Sequence, residues 1–319
     1  MPSAAVLFDP LVLRHDTGPM HPERPGRIEG CLAALKAEGI VPVSPPSPVR
    51  TTRALSAVHD AAYVARLEEA CGRAPSAAEG RAFALFDDPD NPVSAATFAA
   101  AERSAGLLLA AVDAAMSGSA PRAFVVTRPP GHHAGRRRAM GFCYFNTIAV
   151  AAADLLRTHR LERVLVADFD VHHGNGTQDL FYGEPRIAYL SIHRYPFYPG
   201  TGASDETGSG VALGTTVNVP RPAGDGDEGY AGAFEAALEE LADRFRPEFV
   251  LVSAGFDAHR LDPIGGMRVT EEGFARMTRA LAAVADAHAG GRLVSLLEGG
   301  CDPAALGASA VAHFQALAQ

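Results

Sequence analysis

A chain of 319 residues exceeds the usual domain size, yet α/β folds reach that length as one body and can bury a large core. Its 47% apolar and 20% charged residues are ordinary for a globular protein, and no run of about 18 uninterrupted apolar residues argues for a transmembrane helix or a membrane partner. The net charge of −9 disfavours nucleic acid as a partner, and four scattered cysteines with no CxxC pair (Cys31, Cys71, Cys143, Cys301) exclude a disulfide framework and a zinc knuckle. The same acidity suits a cationic substrate as well as it suits solubility alone. Residues 1–9 lack the basic and long apolar regions of a secretory signal, so a cytoplasmic location is expected.

In chain order, residues 4–8 predict a first strand, and the proline-rich stretch 41–48 a surface loop. A helix is predicted over 94–116, then a strand over 123–127 that runs into Arg128-Pro129-Pro130-Gly131. A helix over 145–158 precedes a strand at 164–167, which ends in Asp168-Phe169-Asp170. Strands at 187–192, 249–253 and 293–297 follow, with helices over 230–245 and 270–289 around them. Strand–helix alternation with short β-branched runs implies one α/β domain over 1–319, with a mostly parallel sheet covered on both faces. Ligands of such sheets bind beyond the carboxyl ends of the strands, where the polar clusters of this sequence lie.

The segment Asp168-Phe169-Asp170-Val171-His172-His173-Gly174-Asn175-Gly176 carries the clearest chemistry. Side chains alternate along a strand, so Asp168, Asp170 and His172 project to one side. Asp170 and His172 can chelate one metal, and Asp257, from another strand end, can complete the set. Three protein ligands and an open position describe a catalytic zinc site. An isolated Asp-x-His is more often a surface loop. Here it follows an apolar strand, where two carboxylates without a cation would be costly to bury. The adjacent His132 and His133 point in different directions on an extended loop, which suits a base and an acid beside a bound water. Asp168 and Asn175 are left over to orient them, and an Asp partner keeps its histidine more basic than an Asn partner does.

Taken together, His21-Pro22-Glu23-Arg24-Pro25, Arg128-Pro129-Pro130-Gly131-His132-His133-Ala134, Gly141-Phe142-Cys143-Tyr144-Phe145-Asn146, the 168–178 segment, Ser191-Ile192-His193-Arg194, Phe197-Tyr198-Pro199-Gly200-Thr201-Gly202 and Gly255-Phe256-Asp257 resemble the histone deacetylase and acetylpolyamine amidohydrolase superfamily, on its class II-like bacterial side. The resemblance spans nearly the whole chain. It implies the arginase-deacetylase α/β fold with an eight-stranded, mainly parallel sheet. It assigns Zn²⁺ to Asp170, His172 and Asp257, pairs His132 with Asp168 and His133 with Asn175, and gives the base and acid work to His133. It also implies a structural K⁺ held near Asp168, Ser191 and Ile192. Gly141, Phe142, Tyr198 and Ile264 correspond to the acyl-lysine tunnel. Asp88 falls near a rim aspartate, with Asp90 almost as good a match, and Arg27 matches a buried arginine or a structural salt bridge.

The pattern breaks at one position. The family places a tyrosine after the glycines of Leu297-Glu298-Gly299-Gly300, where its hydroxyl donates to the developing oxyanion; this chain has Cys301. A thiol is a weaker and shorter-reaching donor. The substitution is read as slower but ordinary chemistry, a changed acyl pocket, a thiolate drawn to the zinc, replacement by another tyrosine, or loss of turnover. The expected function is a zinc-dependent amidohydrolase that removes an acyl group from an acylated amine, either a small molecule or a peptide. The alternatives are an impaired acyl-amine binding protein and a binuclear manganese ureohydrolase. A homo-oligomer is compatible with either enzyme reading.

Overall fold

The computed structural model describes residues 4–74 and 83–319. Its centre is a sheet of seven strands in the order β1-β4-β9-β8-β5-β6-β7. These are β1 (Ala4–Leu7), β4 (Arg122–Val125), β5 (Val164–Asp168), β6 (Ile187–Arg194), β7 (Thr216–Arg221), β8 (Phe249–Ala254) and β9 (Leu293–Leu297). Every pairing between them is parallel. A separate antiparallel pair joins β2 (Ala84–Phe86) to β3 (Asp88–Val93).

Among the described residues the sheet therefore has seven strands, not the expected eight. Beyond β1 the ladder continues for a single parallel bridge, in which Val43 donates to Val6 O at 2.9 Å and accepts from Phe8 at 3.0 Å. Pro42, Pro45 and Pro46 lack the N–H that a longer strand would need. At the opposite edge β7 tolerates Pro220 for the same reason, since an edge strand has one unpaired side.

Alternate strand residues face opposite layers. Val164 and Val166 pack into one apolar cluster with α4 (Thr97–Ser117) and α5 (Thr147–Arg157), while Leu165 and Ala167 join the other. That second layer is formed by α1 (Pro25–Ala37), α7 (Asp227–Phe245), α8 (Glu271–His288) and α9 (Pro303–Leu317). The first cluster also receives α2 (Thr51–Val58) and α3 (Ala61–Gly72). Burial on both faces explains why the central strands read as continuous apolar runs. No helix of the described residues is long and apolar enough to cross a membrane.

The four neighbouring strands β4, β9, β8 and β5 end on the same side, because all are parallel. Their next residues are therefore gathered into one place.

Candidate active site

Strand β5 ends at Asp168, paired in register with Ser253 of β8 and Ser191 of β6. The chain then turns through Asp170 and His172 into α6 (Asn175–Phe181). Asp257 arrives from the end of β8. Among the described residues, Asp170, His172 and Asp257 are the one group of three or more such side chains whose ligand atoms gather, all within 4.8 Å of one another. His172 Nδ1 lies 3.0 Å from Asp170 Oδ1 and 3.2 Å from Asp257 Oδ2. Backbone amides hold the carboxylates: Gly299 N–H donates to Asp170 Oδ2 at 2.8 Å, and Val171 N–H to Asp257 Oδ1 at 2.8 Å.

The glycines around the cluster are required by space. A Cβ on Gly255 would lie 2.0 Å from Asp170 Oδ2, and one on Gly299 would lie 2.1 Å from Asp257 Oδ2. Burial and the nearby Asp170 charge push the Asp257 carboxyl up to about 7. Burial opposes charge on His172, but its hydrogen bonds to Asp170 and Asp257 raise it to about 10. Two buried carboxylates hold a proton on the one imidazole between them; a divalent cation would take that proton's place, so the donor set fits one. No second group of ligands adjoins it among the described residues, which leaves the binuclear reading without support.

The two histidines stand beside this cluster, with ring centroids 4.1 Å apart. His132 Nδ1 is 3.0 Å from Asp168 Oδ2, an oxygen that also accepts from the Tyr189 hydroxyl at 3.1 Å. Against burial, the Asp168 and Asp170 charges raise His132 to about 10. His133 Nδ1 is 2.8 Å from Asn175 Oδ1. Burial, with His132 and His172 nearby, holds His133 well below the ordinary range. Neighbours in sequence thus have opposite protonation preferences because their partners differ.

Glu298, at the end of β9, is a contributor the sequence reading passed over. Its Oε2 accepts from Gly131 N–H at 2.6 Å and from His132 N–H at 3.3 Å, while Oε1 accepts from the Ser253 hydroxyl at 3.0 Å. It anchors the histidine loop. The available signal was an acid directly after an apolar strand, the same one that marks Asp168.

A cavity of about 190 Å³ opens above the cluster, and Gly141, Phe142, Tyr198 and Ile264 are among the residues that line it. Asp88 does not. Its carboxylate accepts from Asp90 N–H at 3.0 Å and lies 3.6 Å from Arg138, so it is used within its own loop, and Asp90 takes the lining position. Phe142 sits at φ 68°, an uncommon region for an aromatic residue, and Asn91 Oδ1 holds its N–H at 3.0 Å.

Cys301 also lines the cavity, and burial pushes its thiol above the ordinary range. Asp262 Oδ2 accepts from Cys301 N–H at 2.6 Å, and Asp262 Oδ1 accepts from Ile264 N–H at 2.9 Å. Behind this wall Arg27 donates to Gly300 O, to Glu298 O at 2.6 Å and to Glu23 at 3.1 Å. Arg27 is thus both a salt-bridge residue and part of the cavity lining. At the expected monovalent site, the Tyr230 hydroxyl lies 3.4 Å from Asp170 O and 3.0 Å from Ile192 O, so these carbonyls converge. The Ser191 hydroxyl is paired with His193 Nδ1 at 2.9 Å.

Comparison with known proteins agrees with this arrangement. The histone deacetylase domain model matches residues 21–317. A probable deacetylase of Archaeoglobus fulgidus is 38% identical over 301 residues, covering 92% of this chain and 80% of its own length. A histone deacetylase-like amidohydrolase of Pseudomonas aeruginosa is 35% identical over 316 residues, covering 93% and 81%. The crystal structure of an HDA15 HD domain superposes with a TM-score of 0.91 at 37% identity, over 99% of this chain and 88% of that one. With its motifs gathered at the ends of four parallel strands and its fold shared over nearly its whole length, the chain belongs to the histone deacetylase family.

Proposed function

We propose that the protein is a zinc-dependent amidohydrolase that removes an acyl group, most simply acetyl, from an acylated amine such as acetyl-lysine or an acetylpolyamine. One observation carries the reading: a three-ligand donor set lies directly beside two histidines, each held through Nδ1 by a different partner. One imidazole and two carboxylates with a free coordination position suit catalytic zinc. A divalent ion there would supply Lewis-acid polarisation of the amide carbonyl and of water. His133, neutral and with Nδ1 occupied by Asn175, has Nε2 left to take a proton from the attacking water. It returns that proton to the departing amine, so water and amide become carboxylic acid and amine. His132, kept protonated by Asp168, places a fixed positive charge beside the reacting carbonyl. A structural potassium ion at the converging carbonyls of Asp170 and Ile192 belongs to the same proposal.

Cys301 favours one second reading, a protein that binds acyl amines and turns them over poorly. A panel of acetyl, propionyl, trifluoroacetyl and longer acyl-lysine amides, offered to zinc-loaded protein, separates the two. The enzyme reading requires hydrolysis above a His133→Ala control. Saturable binding with no hydrolysis of any amide would replace it with the binding reading.

A further inference from the structure

Metal-binding histidines almost always donate their second ring nitrogen to a carboxylate, carbonyl or water, which fixes the plane of the imidazole. His172 uses Nδ1 toward Asp170 and Asp257, and its Nε2 has no hydrogen-bond partner among the described residues. Its face is covered instead. The Phe197 ring lies parallel to the imidazole, with centroids 5.2 Å apart and planes 17° apart. The guanidinium of Arg194 covers the Phe197 ring, 4.1 Å from its centroid. The other rings near His172, His133 and Tyr198, meet it at 70° and 80°, so they approach by an edge and do not set its plane.

Arg194 is itself tied to both halves of the cluster. Its backbone N–H donates at 2.9 Å to Val171 O, between ligands Asp170 and His172. Its Nη1 donates at 3.2 Å to Gly265 O, in the loop that follows Asp257. That loop approaches so closely that a Cβ on Gly266 would lie 2.7 Å from Arg194 Nη1. One residue therefore joins the segments that carry all three ligands, and its guanidinium covers the aromatic ring that stacks on His172.

We propose that Arg194 and Phe197 are positioning residues of the metal centre, their stack on His172 holding the imidazole plane, which no protein group among the described residues fixes at Nε2. The inference rests on the metal reading given above. Aromatic and cation–π contacts depend on planar faces, so they can be separated from simple filling of space.

Three variants test it: Phe197→Leu, which keeps an apolar side chain without a ring; Phe197→Tyr, which keeps the ring; and Arg194→Lys, which keeps the charge without the planar guanidinium. Zinc dissociation constants, from competition with a chromogenic chelator, are the first readout. The visible bands of cobalt-loaded protein, which report ligand geometry, are the second. Phe197→Leu should weaken zinc binding by about tenfold, the lower end of the 10–100-fold seen when groups supporting a ligand are changed. Arg194→Lys should weaken it less and shift the cobalt bands in the same direction, and Phe197→Tyr should restore both readouts. If Phe197→Leu and Arg194→Lys bind zinc like the parent protein and show its cobalt bands, the proposal is wrong and the metal reading survives. If the parent protein binds no zinc, the metal reading itself fails. Should Phe197→Leu lose the native circular-dichroism signal, Arg194→Lys decides alone, since it removes the planar guanidinium from the stack, with its bond to Gly265 O, and leaves Phe197 in place.

Discussion

On one flank of the Asp170–His172–Asp257 cluster, each histidine is fixed by a second side chain, His132 by Asp168 and His133 by Asn175. The loop that carries them is fixed in turn by Glu298. On the other flank, β9 delivers Cys301, whose backbone is held by Asp262 but whose thiol makes no hydrogen bond among the described residues. The frame behind that thiol is as well made as the histidine flank, since Arg27 ties Gly300 and Glu298 to Glu23. The contrast shows that backbone geometry and chemical reach are separate properties. This chain keeps the first on both flanks and the second on only one.

The largest expected effect lies on the histidine flank. His133→Ala should lower turnover by about 10³-fold, within the usual range for loss of a general acid–base group, while zinc content stays unchanged. Retained turnover would mean that the two flanks do not divide the chemistry as drawn.

The frame behind Cys301 comes next. Glu23 is buried between Arg27 and Arg128, and although burial opposes its charge, the two guanidiniums hold its carboxyl down to about 2 from an ordinary 4.5. Its contribution to stability is thus complete above about pH 4.5 and is lost as pH falls toward 2, a change of about 3 kcal/mol. Glu23→Gln should cost about 3–5 kcal/mol near neutral pH, because two buried cations lose their partner. It should also flatten that acid limb in denaturant titrations. A variant whose stability still falls like the parent's between pH 4.5 and 2 would remove Glu23 from this role.

Cys301→Tyr sharpens the contrast most directly. Restoring one oxyanion donor should raise acetyl-lysine turnover at least about tenfold, since such donors are worth about 10²–10³-fold. No gain would show that this flank has reorganised its chemistry around the thiol. The smallest effect is at the cavity mouth. Asp90→Ala should raise KM several-fold for a peptide substrate, whereas Asp88→Ala should leave KM unchanged; equal effects would return Asp88 to the site.

Much of this site was legible in one dimension because it follows strand alternation. Asp168, Asp170 and His172 share a side by their spacing of two, and Asp257 follows an apolar strand of the same kind. The histidine partners were legible from chemistry, since an acid and an amide were left over from the ligand motif. Glu298 was not, because its contact with Gly131 spans 167 residues. Asp88 and Asp90 could not be told apart, because two acids two residues apart share a strand face, and only Arg138 separates them. Strand β7 was missed because Asn218 and Pro220 interrupt its apolar pattern, and the count of eight came from the family resemblance, with no segment of the sequence to carry the extra strand.

The sequence alone determined the α/β class, the parallel sheet and which acids and histidines lie together at the strand ends, because periodicity and the cost of burying charge act locally. Only the tertiary structure decided which groups hold those residues in place. Glu298 beneath the histidine loop, Asp262 behind Cys301, and Phe197 with Arg194 against His172 meet their partners through the packing of distant segments. No local spacing encodes such a meeting.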